Sequence, residues 1–151
     1  MTSISGSNVV IVDSDALIGL IHKDDALHDR CIKVAYYLLE HSIATIVPYP
    51  IVLEAATVLA KDKTVKRPDL AAQLLSDYST IDQVQSDESE IGKLVATLYN
   101  PKTSRRNTPF DHYVLALAKI HRAAAVFSFD PFYRRMDMPL AWDLLKTTTS
   151  T

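Results

Sequence analysis

The stretch Asn8-Val9-Val10-Ile11-Val12-Asp13 decides the fold class of this chain. Its continuous run of β-branched residues is typical of a strand that is buried on both faces of a parallel sheet. The run ends at the carboxylate of Asp13, and the apolar segment Ala16-Leu17-Ile18 of a helix follows. Because ligands bind beyond the carboxyl ends of strands in open α/β sheets, Asp13 is predicted to lie at the functional edge.

Further apolar runs and helical stretches extend this pattern. Residues 44–47 and 124–127 resemble the first strand, and residues 81–84 form a weaker candidate. Apolar residues recur with helical spacing over residues 27–40, 51–61, 69–78, 88–99 and 110–121. Because strands alternate with helices, the sequence predicts an α/β fold with a mostly parallel sheet covered by helices.

Composition bounds the class of protein. With 151 residues, 48% hydrophobic and 23% charged, the chain is typical of one domain, with an expected core over about residues 8–145 and flexible ends at 1–7 and 146–151. The net charge of −2 means that any contact with nucleic acid requires a local basic patch.

The single cysteine, Cys31, lies on an apolar helical stripe and is predicted to pack in the core. No signal-peptide pattern or bilayer-spanning apolar run is evident, which favours a cytoplasmic protein.

Glu54 is the acid whose surroundings most favour a functional role. It interrupts a helix that carries apolar side chains in nearly every direction, so the helix is expected to be buried. A carboxylate there is costly unless it is paired, hydrogen-bonded or bound to a metal. Because the sequence offers no evident basic partner, we favour a function over a buried salt bridge.

Three other acids have a structural alternative as helix caps. Asp13 suits an N-cap, Asp111 suits a capping box, and Asp130 suits an N-cap followed by proline. Asp13 and Asp130 nevertheless each follow a buried strand. We interpret these acids and Glu54 as converging on a hard cation, because Mg²⁺ and Mn²⁺ prefer oxygen ligands and keep waters that can attack a phosphate.

The order and context of these acids resemble the PIN-domain family, and within it the ribonuclease toxins of VapBC-type toxin–antitoxin systems. Val10-Ile11-Val12-Asp13-Ser14-Asp15-Ala16 resembles the opening strand and helix of the family, and Glu54 falls in the helix after the second strand. Pro109-Phe110-Asp111-His112 and Val126-Phe127-Ser128-Phe129-Asp130 resemble its third and fourth acidic motifs. The resemblance covers residues 9–140 and implies a three-layer α/β/α fold with four or five central strands.

The resemblance also implies roles for particular residues. The catalytic and metal-binding residues would be Asp13, Glu54, Asp111 and Asp130, holding one or two Mg²⁺ or Mn²⁺ ions that activate water to cleave RNA. Ser14, Asp15 and Ser128 are expected to lie behind these ligands, where Ser128 orients a water or a carboxylate. The implied partners are an RNA substrate, a second copy of the chain and a small antitoxin protein, with no membrane.

Two positions depart from the family pattern. Asp15 stands where the family more often has a small neutral polar residue, so it is either an extra acid behind the metal ligands or a solvent-facing acid, and we favour a peripheral position. Residues 123–125 lack the glycine that commonly ends the preceding helix, which leaves the local turn open.

A basic loop runs into Asp111 and is the first candidate for substrate contact. Its cations Lys102, Arg105 and Arg106 are predicted to bind phosphates, although such a run is equally often a solvated loop. Further candidate patches are Lys61, Lys63, Lys66 and Arg67, and the pair Arg134 and Arg135.

Two rival functions remain open at this point. Asp13-Ser14-Asp15 also resembles the nucleophile and general acid of haloacid-dehalogenase-like phosphatases, in which Asp13 would form an aspartyl-phosphate. That alternative lacks a downstream lysine motif and leaves Glu54 unexplained. The second rival is a non-catalytic PIN-like interaction domain, whose acids only cap helices or bind a structural ion.

Overall fold

A computed structural model of the chain describes residues 7–80, 87–102 and 106–148. The elements of these residues, in chain order, are β1 (Ser7–Val12), α1 (Ser14–Ile21), α2 (His28–Glu40), β2 (Ala44–Ile46), α3 (Tyr49–Lys61), α4 (Pro68–Asp77), α5 (Glu88–Leu98), α6 (Pro109–Ile120), β3 (Ala123–Phe127), α7 (Phe132–Arg135) and α8 (Ala141–Thr148). The weak strand candidate at 81–84 lies outside the described residues.

The strands of the described residues form one parallel sheet in the order β2-β1-β3. Val10 and Ile11 of the central strand are fully buried, as their β-branched run predicts. β2 is different, because it pairs only with β1 among these residues and is mostly exposed, so the expectation of a strand buried on both faces is wrong there. The described part of the sheet has three strands rather than four or five, extended by an isolated parallel bridge between Val126 and Leu140.

The helices agree with the predicted stretches to within about two residues at each end, apart from the two at the C-terminal side. α7 has four residues, too few to show a helical period. α8 packs on α2 and β3 and extends through residue 148, into the end that was expected to be flexible. Among the described residues, no helix is both long and apolar enough to cross a membrane.

The turn from α6 to β3 is made without glycine. Arg122 takes the left-handed backbone conformation, with φ of 49°, where a glycine is the common choice. This conformation costs a residue with a Cβ roughly 1 kcal/mol. The turn therefore forms despite the missing glycine, and β3 still enters the sheet beside β1.

Cys31 packs where α1 and α2 approach each other most closely. A Cβ added to Gly19 would collide with the Cys31 sulfur, so the helix contact depends on this glycine. The thiol side chain is fully buried, which confirms the prediction that it is a core residue. Burial raises its pKa to about 12, so the thiol is a poor nucleophile.

Candidate active site

Asp13 follows the last residue of β1 and caps α1. Its Oδ1 accepts a hydrogen bond of 2.7 Å from the backbone N–H of Ser14, which is the capping role that the sequence allowed. Its Oδ2 accepts a hydrogen bond of 2.5 Å from the hydroxyl of Tyr133. The residue is only 3% exposed. Capping a helix and lying in the acid site are therefore compatible roles for this carboxylate.

Asp15 lies inside the same site, although the sequence suggested a peripheral position. Its Oδ2 accepts hydrogen bonds from the hydroxyl of Ser128 (3.0 Å) and the backbone N–H of Phe129 (2.7 Å). Its Oδ1 is buried without a hydrogen-bond partner. Asp15 reaches the site because β3 pairs with β1 and ends beside the first turn of α1, which carries Asp15. The Ser128 oxygen also accepts from the backbone N–H of Asp130 at 3.1 Å, so it links two acids.

Asp111 and Asp130 are joined by the side chain of Asn107. The Asn107 Nδ2 lies 3.2 Å from Oδ2 of Asp130 and 3.4 Å from Oδ2 of Asp111. Asp130 accepts from the backbone N–H of Phe132 (2.9 Å), but the N-cap of α7 is Pro131, so the N-cap alternative for Asp130 is wrong. Asp111 accepts from the backbone N–H of Thr108 (2.8 Å), the N-cap of α6. The capping box predicted for Asp111 is therefore present.

Glu54 lies on α3 and is half-buried. The helix is not buried on every side as was expected, because Leu53 is 45% exposed. The argument from desolvation nevertheless applies to the carboxylate itself, since its Oε1 is buried without a partner. No described lysine or arginine forms an ion pair with Glu54, which leaves the salt-bridge alternative without a partner.

Burial and mutual repulsion raise the pKa values of these acids. Burial, and next the charge of Asp15, raise the pKa of Asp13 to about 8, against the lowering effect of Tyr133 and Ser14. Burial raises the pKa of Asp15 to about 6, and the nearby charge of Asp130 adds to the rise. Burial also raises the pKa of Glu54 and of Asp111, with a contribution from Asp111 to the first and from Asp130 to the second. The five acids therefore lie near enough to one another for their charges to repel, in agreement with the hydrogen bonds through Ser128 and Asn107 that link Asp15, Asp111 and Asp130.

Sequence reasoning missed two residues that hold these acids. Asn107 is 8% exposed, and in the sequence it is only the residue that follows Arg106 at the end of the basic loop. Tyr133 is fully buried, and nothing in its local sequence indicated that its hydroxyl would reach an acid 120 positions earlier. The only sequence signal for Asn107 is its place directly before the N-cap of α6.

The cations predicted to bind phosphate differ in their exposure and in their ion pairs. Lys102 and Arg106 are exposed, and Arg106 directly precedes Asn107, whereas Arg105 lies outside the described residues. In the other two patches, Arg67 pairs with Asp69 at 2.8 Å and Arg134 pairs with Asp143 at 2.6 Å. The other cations of these patches, Lys61, Lys63, Lys66 and Arg135, are exposed. The loop before Asp111 is the better candidate for a phosphate contact because Arg106 directly precedes Asn107, which contacts two of the acids.

The donor set suits a hard divalent cation. All five acids offer oxygen, and two buried carboxylate oxygens, Asp15 Oδ1 and Glu54 Oε1, have no hydrogen-bond partner. The described acidic, histidine and cysteine side chains do not, however, form a ready group of three metal ligands. Several of the oxygens instead accept hydrogen bonds from Tyr133, Asn107 and Thr108. A cation would therefore require some of these carboxylates to exchange a hydrogen bond for the ion.

The chain belongs to the PIN domain family, whose pattern matches residues 10–138. Its fold is similar to the crystal structure of VapC20 from Mycobacterium tuberculosis, described as a toxin that cleaves the sarcin-ricin loop. The two chains superpose with a TM-score of 0.68 at 14% sequence identity, over 85% of this chain and 95% of that one. No curated protein sequence matches significantly.

The family assignment confirms two expectations from the sequence. The resemblance to PIN domains is correct, and so is the α/β fold with a parallel sheet. It also weakens the phosphatase alternative, which would need Asp15 as a general acid. In the structure, the Asp15 carboxylate holds the turn after β3.

Proposed function

We propose that the protein is a Mg²⁺- or Mn²⁺-dependent endoribonuclease and the toxin of a toxin–antitoxin pair. The observation that carries this proposal is that five acids, from the carboxyl ends of β1 and β3 and from α1, α3 and α6, lie near one another in a chain of the PIN family, two of them with a buried oxygen that has no hydrogen-bond partner. Such a concentration of like charge raises the free energy of the site unless a cation or protons neutralise it. A divalent cation neutralises it and makes the carboxylates useful in phosphodiester chemistry.

Asp13, Glu54, Asp111 and Asp130 are the residues that would hold one or two such ions. When bound, the ion supplies an activated water and stabilises the negative charge that develops on the phosphate. The protein orients its acids through neutral donors, because Tyr133 holds Asp13 and Asn107 holds Asp111 and Asp130. Ser128 and Asp15 fix the turn that carries Asp130.

The choice of RNA rests on the family and on the exposed cations of the chain. Lys102 and Arg106 stand before Asp111, where they would contact the backbone phosphates of a substrate. Arg105 is proposed for the same role from its place in the sequence. A homodimer and a small antitoxin that covers the acid site are proposed from the resemblance to VapBC toxins.

The proposal is tested by incubating the full chain with mixed RNA and DNA in Mg²⁺, Mn²⁺ or EDTA. We expect cleavage of RNA in either metal, none in EDTA, and loss of cleavage in Asp13→Asn and Asp111→Asn. Asp24→Asn, which removes an exposed acid, is the matched control and should cleave normally. Cleavage that is unchanged in Asp13→Asn or Asp111→Asn would exclude this site.

The rival functions predict other results in the same preparation. A phosphatase would hydrolyse a phosphate monoester, lose that activity in Asp13→Asn and keep it in Glu54→Gln. A non-catalytic domain would cleave neither substrate in any metal. We expect no monoester turnover, and we expect Glu54→Gln to lose RNA cleavage.

A further inference from the structure

Tyr133 connects Asp13, the acid at the end of β1, to α7, the helix that follows Asp130. It lies on α7, its side chain is fully buried, and its hydroxyl donates to Oδ2 of Asp13 at 2.5 Å. A buried phenol needs a partner for its hydroxyl, but any backbone carbonyl would satisfy that need. The partner here is the acid at the end of the central strand.

Backbone hydrogen bonds and ring packing hold Tyr133 in place. The backbone carbonyl of Tyr133 accepts hydrogen bonds from the N–H groups of Met138 (2.8 Å) and Met136 (3.0 Å). The tyrosine ring packs edge-on against Phe132, with ring centres 5.2 Å apart. These contacts fix the backbone and the ring that carry the hydroxyl, so the hydroxyl is a fixed donor beside the Asp13 carboxylate.

Both carboxylate oxygens of Asp13 accept a hydrogen bond. The Ser14 N–H binds Oδ1 and the Tyr133 hydroxyl binds Oδ2, which fixes the plane of the carboxylate. Each oxygen keeps one further lone pair for another partner. Burial and the charge of Asp13 raise the pKa of the phenol, so Tyr133 stays a donor throughout the ordinary pH range.

We infer that Tyr133 is a positioning residue for metal binding, whose hydroxyl orients the Asp13 carboxylate so that its remaining lone pairs face a divalent cation. The inference rests on the proposed function, because it assumes that the acid site binds a cation. It adds a residue that lies outside the four acidic motifs. Groups that orient metal ligands typically contribute about 10–100-fold to metal affinity.

The test is the affinity of the full chain for Mn²⁺, measured by the electron paramagnetic resonance signal of the free ion. We expect Tyr133→Phe, which removes only the hydroxyl, to weaken Mn²⁺ binding about 10–100-fold. The matched control is Tyr37→Phe on α2, whose ring stacks on His41, and it should bind like the unsubstituted protein. Equal affinity in Tyr133→Phe and the unsubstituted protein would overturn the inference, as would an equal loss in both variants.

A second comparison separates orientation of Asp13 from support of the fold. In an Asp13→Asn background, adding Tyr133→Phe should leave the residual Mn²⁺ binding to the other acids unchanged, because the affected ligand is already lost. A further loss as large as that in the unsubstituted background would show that Tyr133 acts on the fold. If the unsubstituted protein binds no Mn²⁺, the proposed function itself fails and the inference fails with it.

Discussion

Asp15 and Ser128 are 113 positions apart in the chain, and a hydrogen bond of 3.0 Å joins their side chains. The Ser128 oxygen in turn accepts from the backbone N–H of Asp130, while Asp15 also accepts from the N–H of Phe129. The first acidic motif is thereby tied to the turn that carries the fourth. These hydrogen bonds require an acceptor oxygen at position 15, but they do not require its charge.

Asp15→Ala should lower the free energy of unfolding by about 1–3 kcal/mol, because the Ser128 hydroxyl and the Phe129 N–H lose their acceptor. Asp15→Asn keeps an acceptor oxygen and removes a charge that repels Asp13, so its stability should be close to that of the unsubstituted protein. Urea denaturation at pH 8 in EDTA measures both variants. Equal destabilisation by Asn and Ala would mean that the charge itself is needed.

The protein in EDTA should become less stable as the pH rises from about 4 to about 8. Asp13 and Asp15 have pKa values of about 8 and about 6 in the folded chain, above the value of 3.8 for an unperturbed aspartate. The folded state therefore holds more protons than the unfolded state over this window, so stability present at low pH is lost as each acid ionises. Each retained proton changes the free energy of unfolding by at most about 1.4 kcal/mol per pH unit.

Denaturation curves at pH 5, 6.5 and 8 measure this slope. Asp13→Asn should flatten it between pH 6 and 8, since this acid titrates last. A stability that stays flat over the same interval, as surface carboxylates with ordinary pKa values would give, contradicts the raised pKa of Asp13.

Asn107→Ala should weaken both metal binding and RNA cleavage by about 10–100-fold, because Asp111 and Asp130 lose the amide that holds them together. Mn²⁺ titration and RNA cleavage measure the effect. The control is Asn100→Ala, which removes an exposed amide that only caps the backbone of Lys102. Loss of the same size in the control would refute a specific role for Asn107.

Arg106→Gln should raise the KM for RNA and change kcat little, because an exposed cation beside the site contributes to binding of the phosphate backbone. The salt dependence of binding should fall by about one unit of slope. Lys23→Gln, at another exposed position, serves as the control. A lower kcat at unchanged KM would place Arg106 in the chemistry instead.

The sequence indicated which acids would lie close together better than it indicated the residues that hold them, for a physical reason. Asp13 and Asp130 follow apolar strands, and strand ends meet at one edge of a parallel sheet, so local patterns suffice to bring them together. Asn107 and Tyr133 reach the acids through packing between distant segments, which no local spacing encodes. The exposure of β2 was missed for a related reason, because an apolar run does not reveal whether its strand lies at the centre or the edge of a sheet.

The central claim is that the clustered acids support attack by water on an RNA phosphodiester with the help of a divalent cation. The most direct measurement is mass spectrometry of the products formed in ¹⁸O-labelled water with Mg²⁺. We expect one ¹⁸O in each newly formed terminal phosphate, and no product in EDTA or from Asp13→Asn. Unlabelled 2′,3′-cyclic phosphate ends, formed equally well in EDTA, would contradict it.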